Sequence, residues 1–307
     1  MPTPDFYPRD LIGYAGSAPR VAWPGGAKLA LSFVLNYEEG AENSALHGDD
    51  GAQTFLSEMV DAPAVPGARH ASMESLYDYG ARAGFWRIRA AFEERALPLT
   101  VFGVAMAMQR NPQAVEAMLK SGWEMASHGY RWIDYQHVPE ALEREHMQRA
   151  IEIHTELTGT RPLGWYTGRS SPNTARLVAM EGGFLYDSDS YADDLPYYDF
   201  SWHRPQLILP YALDSNDMRF AAAQGFNTGE DFHRYLKDAV DVLRAEGATA
   251  PKMLSIGLHC RIIGRPGRFA ALIKFLDYTM QFPDIWVARR VDIARHWLEQ
   301  YPPARQA

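Results

Sequence analysis

The chain has a single cysteine, Cys260, among its 307 residues, so no intrachain disulfide can form. It also has no excess of basic charge. Thirty Lys and Arg stand against 38 Asp and Glu, a formal net charge of -8, which argues against nucleic acid or an anionic membrane as the main partner. No apolar run is long enough to span a bilayer. The opening residues, Met1 to Asp10, lack the apolar segment of a secretory signal, so a cytoplasmic location is expected. There is no internal repeat and no low-complexity tract. What remains is an ordinary globular composition, 47% hydrophobic and 22% charged, long enough for one large core. One domain over residues 1–307 is expected. Met1 to Gly26, rich in Pro, Gly and aromatics without periodicity, reads as an arm laid over its surface.

The organising stretch runs from Lys28 to Gly40. Leu29 to Leu35 is an almost unbroken apolar run, suited to a strand buried on both faces, and it leads directly into Glu38, Glu39 and Gly40. Side chains alternate along a strand, so two adjacent glutamates there mark either a charged turn or the edge of a site. Ala41 to His70 follows as a polar segment punctuated by Gly and Pro. A loop this long inside a compact domain suits a pocket rim or an interface between subunits.

From Ser72 the chain alternates. Helices are expected over 72–95, 112–121, 139–158, 173–181, 229–246, 269–281 and 291–300, several ended by glycine (Gly159, Gly182, Gly247). Strands are expected over 98–104, 123–126, 163–167, 184–186, 207–211 and 253–259. Such alternation predicts an α/β fold with a parallel sheet curled into a closed or nearly closed (β/α) barrel. Polar groups recur after the strands: Glu38 and Glu39, then Ser127 and His128, Gly168 and Arg169, Asp187 and Asp189, and His259. In a (β/α) barrel the carboxyl ends of the strands face one mouth, so these groups should converge.

The order of these motifs resembles the polysaccharide deacetylase (NodB-like) superfamily, whose fold is a distorted, incomplete TIM-like (β/α) barrel. Asn36-Tyr37-Glu38-Glu39-Gly40 stands in the place of that family's T-F-D-D-G, with both aspartates changed to glutamate. His128-Gly129-Tyr130-Arg131-Trp132 stands in the place of H-[ST]-x-x-H, and Leu258-His259 matches the later leucine-histidine pair. In the metal-dependent members the second acid and the two histidines bind a divalent ion while the first acid is the base. By position Glu39 and His128 remain ligand types, but Trp132 replaces the other histidine, and an indole has no lone pair for a metal. Longer strings, S-H-G-Y-R-W-I-D-Y, G-W-Y-T-G-R-S-S-P-N-T, L-Y-D-S-D-S-Y and H-C-R-I-I-G-R-P-G-R-F, resemble the bacterial allantoinases of that superfamily from about Tyr7 to Trp297.

The resemblance implies hydrolysis of the hydantoin ring of allantoin to allantoate, with no cofactor and no bound metal. It makes Glu38 the candidate to activate water, with Glu39 binding ureido N–H groups or raising its neighbour's pKa. The two roles are exchangeable. His128 and His259 are candidates for the acid and an oxyanion donor. Trp132 walls the pocket, or simply packs. Tyr166 faces either the barrel or its outer helices, and Arg169 meets substrate carbonyls or pairs with Asp187 or Asp189. Cys260 should point away from His259 by strand alternation. The implied partner is a small molecule, and the implied assembly is a homodimer or homotetramer. Two other readings remain: a metal-dependent deacetylase of N-acetylated glycans or peptidoglycan, and a non-catalytic binding protein on the same fold.

Overall fold

The computed structural model describes residue 7, residues 9–59 and residues 61–303. The central strand β1 (Leu29–Tyr37) is buried along its whole length. It pairs in parallel with β2 (Thr100–Gly103) and β8 (Lys252–His259), and its first residues also pair with β9 (Ile285–Val287). Outward from β2 come β3 (Glu124–Ser127), β4 (Gly164–Trp165), β5 (Tyr186–Asp187), β7 (Gln206–Ile208) and β6 (Tyr197–Asp199). Every pairing is parallel except β6 with β7. The result is an α/β fold with a curled, half-barrel sheet. The helices are α1 (Ala71–Tyr79), α2 (Phe85–Glu94), α3 (Ala105–Arg110), α4 (Pro112–Lys120), α5 (Glu140–Thr158), α6 (Thr174–Glu181), α7 (Gly229–Glu246), α8 (Pro266–Thr279) and α9 (Arg290–Gln300).

Alternation along β1 sorts its side chains. Leu29, Leu31, Phe33, Leu35 and Tyr37 join the apolar layer shared with the helices. Ser32, Val34 and Asn36 face the interior, where Val34 packs with Phe102, Ala126, Tyr166 and Tyr211. The floor of the interior is polar. Arg290, fully buried, donates to the hydroxyls of Ser188 (2.8 Å) and Ser255 (2.6 Å) and to the carbonyls of Pro210 (2.9 Å) and Leu209. Beside it the buried Glu124 accepts from Tyr186, Thr100 and the Val291 amide.

The sequence predicts most of these elements within a few residues, and the differences have causes. The barrel is not closed by strands: among the described residues no strand joins β8 to β6 or β7. The gap is crossed by the irregular segment after β7, which meets the free edge of β8 through a bridge between Asn216 and Gly257. The helix expected over 72–95 is two helices joined by a π turn, Gly80–Gly84. There the helix runs against the strand ends. A β-carbon at Gly80 would strike the Glu39 carboxylate, and one at Gly84 the Cys260 carbonyl. The short elements β6, β9 and α3 are absent from the sequence reading because each spans too few residues to show a period. Of the expected arm, residues 1–6 and 8 lie outside the described residues. The rest is held to the body by Val21 and Trp23, buried against Trp286 and Trp297.

Candidate active site

Glu38 is the next inward position after Asn36, just past the end of β1, and its carboxylate is the hub of the mouth, 1% exposed. Its Oε1 lies 3.5 Å from His128 Nε2, carried by the turn after β3, and 3.3 Å from His259 Nε2 at the end of β8. Its Oε2 accepts from Arg261 Nη1 at 2.7 Å. Burial alone would favour the neutral acid, but Arg261, His259 and the His128 bond outweigh it and hold the Glu38 pKa well below the usual carboxylate range.

His259 is fixed from behind. Asp217, fully buried in the segment that crosses the barrel gap, accepts from His259 Nδ1 (2.6 Å), the His259 amide (2.7 Å) and the Ile263 amide (3.1 Å). Burial pulls the His259 pKa down, yet the Glu38 and Asp217 carboxylates more than offset it and raise it to about 9. At neutral pH the site therefore rests as a carboxylate touching an imidazolium, an acceptor and a donor of protons side by side.

Glu39 has the opposite parity. Its side chain leaves the mouth and turns under the π turn, accepting from the Glu38 amide at 3.2 Å, with Arg261 Nη1 3.9 Å away. Burial raises its pKa to about 7, Arg261 opposing and Glu38 reinforcing the shift. The structure thus brings Glu38, His128 and His259 together on one cavity and sets Glu39 behind it.

That cavity encloses about 90 Å³. Trp132 forms one wall, lying between two guanidinium groups, with Arg169 4.4 Å and Arg261 4.9 Å from its ring centre, and stacked with Phe55 from the long loop. Arg169 does not pair with Asp187 or Asp189. It donates to the Trp132 carbonyl at 2.8 Å and leaves its buried Nε without a partner. Asp189 instead accepts from the Thr167 and Gly168 amides, fixing the turn that carries Arg169. Tyr166 faces the interior, stacked on Phe102, with its ring 4.9 Å from that of His128. Cys260 points away into the helix layer.

Sequence reading missed Arg261, Asp217 and the cavity residues Asn36 and Tyr211. Arg261 shares its parity with His259, so alternation carried two residues past β8 points to it. Asp217 lies in an aperiodic segment and carries no such signal.

A carboxylate flanked by two imidazoles and an arginine at the mouth of a parallel half-barrel is the equipment of a hydrolase. Residues 68–184 match the family model for polysaccharide deacetylase. A Schizosaccharomyces pombe protein named "Putative polysaccharide deacetylase" is 42% identical over 314 residues, covering 96% of this chain and 98% of its own. The chain belongs to the polysaccharide deacetylase family, whose members are hydrolytic. Among solved structures, a "probable Polysaccharide deacetylase" from Pseudomonas aeruginosa PAO1 is 63% identical (TM-score 0.95), and "Puue Allantoinase" is 61% identical (TM-score 0.96). Each covers 97% of this chain and all of its own.

The family implies a divalent metal, and these residues do not fit one. Among the described residues no three His, Cys, Asp or Glu side chains are grouped so as to hold an ion. Trp132 offers no lone pair, and a cation at Glu38 would face the Arg261 guanidinium bonded to the same carboxylate.

Proposed function

We propose that this protein is a cyclic amide hydrolase that opens the hydantoin ring of allantoin to give allantoate. The observation that carries this reading is the cavity. About 90 Å³, walled by Trp132, Phe55 and Tyr166, suits one small planar ring over Glu38 and not a polymer lying across a cleft. The likeness to "Puue Allantoinase" over nearly the whole chain supports it.

In the reaction Glu38 takes a proton from water as its oxygen adds to the ring carbonyl. The imidazolium of His259 then gives its Nε2 proton to the departing ring nitrogen. The 3.3 Å contact between the two returns the proton from Glu38 to His259 for the next cycle. His128, 3.5 Å from the same carboxylate oxygen, orients the acceptor and faces the ring. Arg169 directs its unpartnered donor to a ureide oxygen. Glu39 acts from behind, as a second carboxylate near Arg261.

The deciding experiment is hydrolysis of allantoin by purified protein before and after exhaustive chelation, with metal content measured on the same sample. Turnover that survives chelation without bound metal is expected. Loss on chelation and recovery with zinc would overturn the metal-free mechanism, and a protein inert on allantoin would return it to the second reading, a metal-dependent deacetylase, which the names of its relatives favour.

A further inference from the structure

The segment that crosses the barrel gap begins at Leu209 and places Tyr211 on the cavity wall, 3% exposed, its ring 5.0 Å from that of Tyr166. Two side-chain amides point at its phenol oxygen. Asn36 Nδ2 donates to it at 3.0 Å and Asn216 Nδ2 at 3.3 Å. Neither amide is free to turn over and become an acceptor. Asn36 Nδ2 also donates to the Leu258 carbonyl at 3.2 Å, and Asn216 Oδ1 accepts from the Met218 amide at 2.9 Å. Gly257 makes room for this cluster, since a β-carbon there would strike both the Tyr211 oxygen and the Asn216 amide.

A phenol oxygen has two acceptor positions and one proton. With both positions filled by N–H groups, the hydroxyl can act only as a donor, and no acceptor for it is found among the described residues. Asn36 and Asn216, which flank the hydroxyl, line the cavity that holds Glu38, His128 and His259. The free proton therefore sits at that wall, polarised by two accepted bonds.

We propose that the Tyr211 hydroxyl is a catalytic residue that donates to the carbonyl oxygen of the bound ring and stabilises the oxyanion formed there. This rests on the reading of the site as a cyclic amide hydrolase. As water loses its proton to Glu38, the new C–O bond forms and the carbonyl electron pair moves onto oxygen, against the Tyr211 proton. On collapse the pair returns, the C–N bond breaks, and nitrogen takes the His259 proton. Tyr211 keeps its own proton throughout. Burial pushes its ionisation above the ordinary phenol range, the Asn36 bond opposing only in part.

The test is Tyr211→Phe. A lost oxyanion donor costs on the order of a hundredfold to a thousandfold in kcat, with KM changed by no more than about threefold. A kcat within about threefold of wild type overturns the proposal. Thermal unfolding is followed in parallel, because the variant strands two amide donors. If the variant does not fold, 3-fluorotyrosine at position 211 decides: it keeps both accepted bonds but sharpens the donor, and an unaltered kcat overturns the proposal.

Wild-type turnover of allantoin reports on the parent reading separately. If the wild type is inert, the parent reading fails and the proposal falls with it; a wild type that turns over allantoin while Tyr211→Phe keeps its kcat overturns the proposal alone.

Discussion

Replacing Asp217 by asparagine tests the electrostatics of the whole site. The Asp217 carboxylate accepts three N–H bonds, one from the Nδ1 of His259, and with Glu38 it raises the His259 pKa from 6.5 to about 9. A group whose folded pKa exceeds its unfolded value adds stability that is complete below the unfolded pKa and is lost as pH rises through the folded one. For His259 that window runs from about 6.5 to about 9, and at about 1.4 kcal/mol per unit the shift corresponds to about 3 kcal/mol. In Asp217→Asn the backbone amides keep an oxygen acceptor, but the charge is gone and an N–H faces Nδ1. Urea unfolding at pH 6 and pH 9.5 should show wild type losing stability between the two, about 3 kcal/mol of it through His259, and the variant losing less. Activity should respond in parallel. Turnover that needs the His259 proton falls as pH rises through about 9 in wild type. In the variant the descending limb should move down by about one unit or more. A variant whose descending limb and pH-dependent stability both match wild type would refute the assignment of His259 as the acid held charged by Asp217.

Glu38→Gln keeps the shape of the acceptor but cannot take a proton, so kcat should fall on the order of a hundredfold to ten-thousandfold while allantoin still binds; steady-state kinetics with calorimetry checks both. Glu39 has a raised pKa of about 7, so its contribution is favourable while protonated and lost as pH rises from about 4.5 through 7. Glu39→Gln should therefore be more stable than wild type at pH 8, by up to about 3 kcal/mol, and nearly equal at pH 4.5; denaturant titrations in which wild type is the more stable at pH 8 would contradict the shift. Trp132→His removes the plate between Arg169 and Arg261, and kcat/KM for allantoin should drop by about tenfold or more; an unchanged value would show that the indole is packing alone. Finally, we expect a homodimer or homotetramer, from the aromatic arm and the long loop, and sedimentation at micromolar concentration showing only monomer would end that expectation.

Much of the architecture is legible from residue order. The apolar run before Glu38, the glycine stops at Gly159 and Gly182, and the polar groups after successive strands each report a local constraint that survives folding. The site is legible where it follows strand parity, as at Glu38 and His259. The same rule separates Glu38 from Glu39, whose side chains leave on opposite faces. What the sequence hides is geometry made by irregular backbone. Asp217 and Asn216 reach the site from a segment with no period, and Arg290 stands at the first position of a helix, where nothing marks it for the barrel interior. The gap in the sheet is invisible for a related reason: the segment that crosses it has no period, and strands of three residues, such as β6 and β9, carry too few side chains to declare themselves.

Arg290 also sets an order of events during synthesis. Its guanidinium gathers Ser32, Ser188, Leu209, Pro210 and Ser255, so the acceptors come from β1 and from three later stretches, while the donor arrives 258 residues after the first of them. A nascent chain that has emerged only as far as β8 holds those groups around an interior satisfied only in part, by the Ser32–Ser255 and Ser255–Pro210 contacts, and burying the rest in that state is costly. The full set of bonds in the floor of the half-barrel therefore forms only once the start of α9 is present. A chain truncated ahead of residue 290 loses the keystone of its interior and not merely a peripheral helix.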